Sequence, residues 1–266
     1  MNRMKRFSAI LALGCLLLGS ASAMAQSDNH PMVSKGLRYL NTPYVAHTLE
    51  IDPANEDLVV NCDEVDCTTF VEYVLAEAIC SKMANGEISE GQFADNLIKI
   101  RYRNGEIKGY TSRLHYIAEW VNNGVKQGVI EDVAATNSRF TMKTNLSFMS
   151  SHPELYPQLA NSPANVATMK QIEEALNGFE FHYVPQEQLP NGGLSWIKNG
   201  DIIAITTNIP SLDVAHMGIA MYVDNKLTLL HASSVEKKVV ISTLSLAQML
   251  KNNAKWTGIR VLRMKQ

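Results

Sequence analysis

From Cys67 onward the apolar side chains fall at Cys67, Phe70, Val71, Val74, Leu75, Ala78 and Ile79. This is the i, i+3, i+4, i+7 spacing of a helix with one buried face. Asp66, or Asp63 a turn earlier, is placed to cap it, because a short carboxylate accepts from the free N–H groups of a first turn. Ser89-Glu90-Gly91-Gln92 carries a capping-box pattern and opens a second helix to about Arg101. Thr111-Ser112 reads as the cap of a third, with Leu114, Ile117, Ala118 and Val121 on its face and Gly124 at its end. From Phe140 to Ala164 turn formers dominate, and a short helix from Met169 to Leu176 stops at Asn177-Gly178. Beyond Gly178 the period drops to two. Phe179, Phe181 and Tyr183 alternate with Glu180 and His182, and Asp201–Thr207, His216–Val223, Leu227–His231, Val239–Thr243 and Thr257–Met264 read as strands. Helices followed by strands with hairpin-length connections predict an α+β fold with a mainly antiparallel sheet, on which the Cys67 helix can lay its stripe.

The start of the chain stands apart from this pattern. Arg3, Lys5 and Arg6 form a basic region, Ile10 to Leu18 an apolar core, and Ala23-Met24-Ala25 a small-residue cleavage site before Gln26. Residues 1–25 therefore read as a signal peptide, too short in its apolar run to span a membrane. Cys15 invites a lipoprotein reading, but the apolar run continues past it, so the expectation is an exported, periplasmic chain without lipid. Residues 26–266 are expected to form a single domain, its helical half roughly 26–178 and its sheet half roughly 179–266. The net charge of −2 points neither to nucleic acid nor to a strongly charged substrate.

Three cysteines remain after cleavage, and an odd count in an exported protein flags a thiol that is free to react. Thirteen helical residues carry Cys80 roughly 20 Å from Cys67. Five extended residues reach at most about 17 Å back to Cys62. No structural disulfide is expected, and Cys80 lies off the apolar stripe. Cys67 sits in a first turn, where the macrodipole favours the thiolate, the reactive form of the thiol. Taken alone, a cysteine at a helix start is more often simply buried.

Two histidines change that balance. His216 opens a strand whose same-face neighbours, Gly218 and Ala220, leave room above the ring, and His231 closes the next strand. Joining the two by a two-residue turn at Asp224-Asn225, which tolerate positive φ, sets Val223 against Lys226 and His231 against Gly218. Both imidazoles then leave one face as diagonal neighbours, and a one-residue slip would separate them. A nucleophile, a base and a group that orients the base are the parts of covalent catalysis. The same three residues could alternatively ligate zinc with one open position, or the chain could be an inactive wall-fragment binding protein. Neither a metal nor another cofactor is expected.

Asp66-Cys67, His216-Met217-Gly218-Ile219 and His231-Ala232-Ser233 resemble the NlpC-type cell-wall hydrolases, which are papain-like cysteine enzymes. Thr42-Pro43-Tyr44 resembles the segment that sets a tyrosine beside their nucleophile. Asp66–Glu72, Thr111-Ser112-Arg113-Leu114-His115-Tyr116 and Leu229–Ser234 resemble, more closely, the N-acetylmuramoyl-L-alanine amidase-like branch, whose helical insertion the central helices match. The resemblance implies a papain-like fold, with the nucleophile helix packed on the sheet. It also implies a periplasmic enzyme that cleaves peptidoglycan fragments (muropeptides) between N-acetylmuramic acid and L-alanine. Cys67, His216 and His231 would be catalytic, with Tyr44, Arg113 and His115 as candidates for holding substrate, and the chain a monomer. A γ-D-glutamyl–diamino acid endopeptidase of the same superfamily would use the same three residues.

Overall fold

The computed structural model describes residues 30–52, 54–83 and 89–265. The signal-peptide reading of residues 1–25 lies outside them. The helices are α1 (Pro31–Leu37), α2 (Cys67–Met83), α3 (Glu90–Arg101), α4 (Ile117–Lys126), α5 (Ala134–Asn137), α6 (Phe148–Ser151), α7 (Pro157–Ala160), α8 (Pro163–Leu176) and α9 (Leu246–Lys251). The strands are β1 (Ile130–Asp132), β2 (Thr141–Lys143), β3 (Glu180–His182), β4 (Val184–Pro185), β5 (Ile202–Thr207), β6 (Val214–Val223), β7 (Lys226–Ser233), β8 (Lys238–Ile241) and β9 (Trp256–Met264). The main sheet runs β1-β9-β5-β6-β7-β8 with β4 also on β9, and every pairing in it is antiparallel. The fold is α+β, as the pattern predicts. The halves are less clean than expected, because β1 and β2 fall in the helical half and α9 in the sheet half. None of the helices described is long and apolar enough to cross a membrane.

The sheet separates two apolar layers. Ile202, Ala204, Met217, Ile219, Leu230 and Leu262 join the core built around α2, while Ile203, Ile205, Ala220, Leu229, Ile259 and Val261 meet α9 on the other side. The alternation of strand side chains makes both layers at once.

Helix α2 departs from the one-sided stripe. Tyr73 and Ala76, off the predicted face, are fully buried, whereas Ile79 on it is half-buried. The reason is encasement: α1 and α3 pack on α2 from the sides that β6 and β7 leave open. Cys80, off the stripe, is also buried and accepts from Asn96 Nδ2 at 3.2 Å. Glu72, on the same helix, is buried and paired with the buried Arg101 at 2.7 Å. Cys62, Cys67 and Cys80 are all free, in line with the chain-length argument.

Helix α3 begins as expected, with Ser89 accepting from the Gln92 N–H. Helix α4 does not. Thr111 and Ser112 lie in a 3₁₀ turn (Tyr110–Ser112), and the helix starts only at Ile117. Its cap comes from far along the chain: the Asp213 carboxylate accepts from the Ala118 N–H. No local pattern encodes such a cap. The Ser245–Gln248 capping box that opens α9 was local, but the sequence reading missed it.

Candidate active site

Helix α2 starts at Cys67 because Asp66 ends the preceding segment as a cap. Its Oδ1 accepts from the backbone N–H groups of Thr68 (2.9 Å) and Thr69 (2.7 Å), and from the Thr69 hydroxyl (3.0 Å). These bonds satisfy donors a helix start leaves free. Cys67 is half-buried rather than exposed, with Thr68 Oγ1 3.9 Å from its Sγ. Burial, and then the Asp66 carboxylate, push its thiol up to about 11, against hydrogen bonding from the Met217 backbone N–H. The expected ease of ionisation is therefore reversed. Removing the sulfur from water outweighs the pull of the helix start.

The hairpin explains why Met217 is free to face the thiol. Asp224 and Asn225 have φ of 48° and 59°, and pairing runs from Val223–Lys226 to Ile219–Leu230, the register expected from the turn. The Ala220 N–H donates to Asp201 on the β5 side. By alternation the Met217 N–H points to the β7 edge. The ladder has ended by then, and Cys67 sits where β6 and β7 part.

One step back from Met217, His216 Nε2 lies 2.7 Å from His231 Nδ1. The rings meet edge to face, with centroids 4.9 Å apart and planes at 89°. Gly218 is essential to this fit: a Cβ there would come within 3.0 Å of His231 Cβ and 2.7 Å of Leu229 Cγ. Burial, and then the neighbouring His231, lower His216 to about 3, and burial lowers His231 to about 4. At neutral pH both rings are therefore uncharged, as is the Cys67 thiol. A residue the sequence reading passed over completes the surroundings. Trp256, the first residue of β9, stacks on His216 at 5.7 Å with the planes 13° apart. It lies one position outside the predicted strand and 40 residues from His216, and no local signal links the two.

Tyr44 also lies near the thiol. Its N–H donates to Lys237 O, and it bridges to Val65, two residues before Cys67. Burial, followed by the charges of Cys67 and Asp66, pushes its phenol up to about 12, which puts the hydroxyl in their neighbourhood.

Arg113 and His115 lie elsewhere. Arg113 is buried, forms a two-bond fork with Glu56 (2.8 and 2.7 Å), and reaches Glu50 with a third nitrogen at 2.7 Å. Its guanidinium also lies over the Tyr110 ring at 5.1 Å. His115 packs on Tyr110 with centroids 4.5 Å apart and faces Tyr110 O at 3.1 Å. Burial, and then Arg113, lower it to about 3. Both side chains are engaged inside the protein, where Arg113 holds the segment between Tyr44 and Val65 through Glu50 and Glu56 and His115 packs on Tyr110. Among the described residues no three His, Cys, Asp or Glu side chains are grouped to hold a metal ion. The nitrogens that would have to share a zinc instead face each other.

A thiol at a capped helix start that meets the Met217 backbone, and a bonded pair of imidazoles on the two strands β6 and β7, are the candidate centre of this α+β protein. The chain belongs to the AmiA-like family, described as N-acetylmuramoyl-L-alanine amidase-like, whose sequence model matches residues 34–259. The crystal structure of an N-acetylmuramoyl-L-alanine amidase from Bacteroides uniformis is 66% identical, with a TM-score of 0.87 over 89% of this chain and 100% of that one. A Bacteroides fragilis protein provisionally described as a xylanase is 61% identical, with a TM-score of 0.84 over 87% of this chain and 99% of that one. A Legionella pneumophila protein shares the fold at 23% identity, with a TM-score of 0.68 over 89% and 88% of the two chains. No curated protein matches this chain.

Proposed function

We propose that this protein is an exported, periplasmic peptidoglycan hydrolase of papain-like type that cleaves the amide between N-acetylmuramic acid and L-alanine with Cys67, His216 and His231. The observation that carries the chemistry is the 2.7 Å bond between the two imidazoles, one residue along β6 from the Met217 N–H that meets the Cys67 thiol. The amidase named in the 66% identical relative supports the choice of bond.

In this mechanism His216 Nε2 is held by His231, so Nδ1 is the nitrogen that takes the Cys67 proton. The sulfur attacks the scissile carbonyl, the oxygen becomes an oxyanion, and the Cys67 backbone N–H at the start of α2 stabilises it. The Tyr44 hydroxyl is placed to add a further donor. The tetrahedral intermediate collapses as the C–N bond breaks and His216 returns its proton to the leaving amine. Water, deprotonated by the same ring, then hydrolyses the thioester. With pKa values of about 11 and about 3, the resting pair is thiol and neutral imidazole, and proton transfer accompanies attack.

The xylanase description of the Bacteroides fragilis relative fits this centre poorly. Glycoside hydrolysis uses two carboxylates flanking the bond, whereas the paired groups here are two imidazoles and Asp66 is engaged in the helix cap. Digestion of a defined disaccharide–peptide decides between the readings. The expected products are a free disaccharide and an intact peptide beginning with L-alanine. Iodoacetamide on Cys67 should abolish the activity and a chelator should leave it unchanged. Cleavage between D-glutamate and the diamino acid would make the protein an endopeptidase instead, and loss on chelation restored by zinc would make it a metalloenzyme.

A further inference from the structure

We propose that Trp256 is a positioning residue of this centre. Its indole face holds the plane of the His216 ring and stabilises the imidazolium formed when the Cys67 proton moves onto it. The proposal rests on the reading of Cys67 and His216 as nucleophile and base.

Buried His216 bonds to His231 on β7, and its ring meets the rings of His231 and Trp256, none of which carries a carboxylate. β5 sets Ile205 opposite it, and the Cys67 thiol meets the backbone N–H of the next residue, Met217. From β9 comes Trp256, 5.7 Å away and nearly parallel at 13°. When the S–H bond breaks and the N–H bond forms, the thiolate is the counterion of the new cation. That counterion is then lost. As the C–S bond forms, the negative charge moves to the carbonyl oxygen at the helix start, and the ring stays charged until it protonates the leaving amine. Over that interval the groups in contact with the ring are a neutral imidazole and an indole. The face of an aromatic ring carries negative potential, and tryptophan attracts a cation most strongly at centroid distances up to about 6 Å.

The indole is held firmly enough for this task. Trp256 pairs with Thr207, its backbone N–H donates to Asn253 O at 3.0 Å, and its side chain is half-buried against the α9-side core. Desolvation of the site raises the value of such a contact, because water does not screen it.

Trp256→Phe keeps a weaker aromatic face and Trp256→Leu removes it, while Trp256→Tyr provides a second aromatic variant should the leucine protein fail to fold. Turnover should fall in the order Trp, Tyr or Phe, Leu, by roughly 3- to 30-fold from first to last, the range of a partly to fully desolvated cation–π contact. KM should stay within about twofold of the native protein, as expected when an interaction made only in the transition state is lost. The rate of Cys67 alkylation by iodoacetamide at pH 7 should fall in parallel. A leucine or phenylalanine variant with native turnover overturns the proposal, as does a phenylalanine variant no better than leucine. His216→Ala separates the two levels. Alkylation unaffected by His216→Ala refutes the underlying nucleophile–base reading, whereas alkylation slowed by His216→Ala but not by Trp256→Leu refutes the role of Trp256 alone.

Discussion

A buried imidazole kept neutral by its surroundings makes stability depend on pH. His216 and His231 have folded-state values of about 3 and about 4, below the unfolded value of about 6.5. The unfolded chain therefore binds protons first as the pH falls. The stability that the neutral pair contributes is complete above about pH 6.5 and is lost progressively toward pH 4 and 3. His115, also lowered to about 3, acts with the same sign. The expected outcome is an unfolding free energy that drops between pH 6.5 and 5 by on the order of 1 kcal/mol per pH unit for each such ring. His216→Asn with His231→Asn should flatten much of that slope in urea titrations at several pH values. A native protein equally stable at pH 7 and pH 5 would contradict the lowered values. At this scale the sequence was informative about identity. Cys67, His216 and His231 were legible as candidates from their positions in the pattern and Tyr44 from the family resemblance, whereas the protonation of the thiol was not, because desolvation depends on what packs around Cys67.

Elements inherit their boundaries from local chemistry where a local partner exists. Asp66 caps α2 from the adjacent position, and the Asp224-Asn225 turn fixes the β6–β7 register by its own backbone preference. Helix α4 shows the opposite case. Its predicted cap at Thr111-Ser112 is displaced, and the buried Asp213, 95 residues away in sequence, accepts from Ala118 in its place. Asp213 also accepts from its own neighbour, the Val214 N–H at 2.9 Å, at the entry to the strand that carries His216. Asp213→Ala should thus lower stability by about 1–2 kcal/mol, the cost of a lost cap with a buried donor left unpaired. Asp213→Asn, which keeps an acceptor, should lose less. Thermal denaturation of the two variants checks this, and equal midpoints for alanine and native would show that the contact does not cap the helix.

For the whole molecule, the question is what holds the segment between Tyr44 and Val65, whose two ends flank Cys67. Arg113 does so through Glu50 and Glu56. Tyr102 adds its hydroxyl to Glu56 at 2.8 Å, Arg101 bonds Val59 O at 2.7 Å, and Tyr73 accepts from Asn61 N–H at 3.0 Å. Removing one partner of a buried ion pair leaves the other charge uncompensated, at a cost of about 3–5 kcal/mol. Arg113→Ala should accordingly destabilise the fold by about 3 kcal/mol in urea unfolding and speed amide hydrogen exchange across residues 45–61. An arginine that served only to grip substrate would raise KM and change neither. The sequence by itself determined the class of fold, the hairpin register and the residues of the candidate centre, because period-two strands, positive-φ turn residues and a capped helix start are set by neighbours a few positions away. Only the tertiary structure decided which way Arg113 and His115 face, that α2 is buried nearly all round, that Asp213 caps α4, and that Trp256 stacks on His216. Each of those depends on contacts between segments tens of residues apart, and burial sets both the packing and the charge state there.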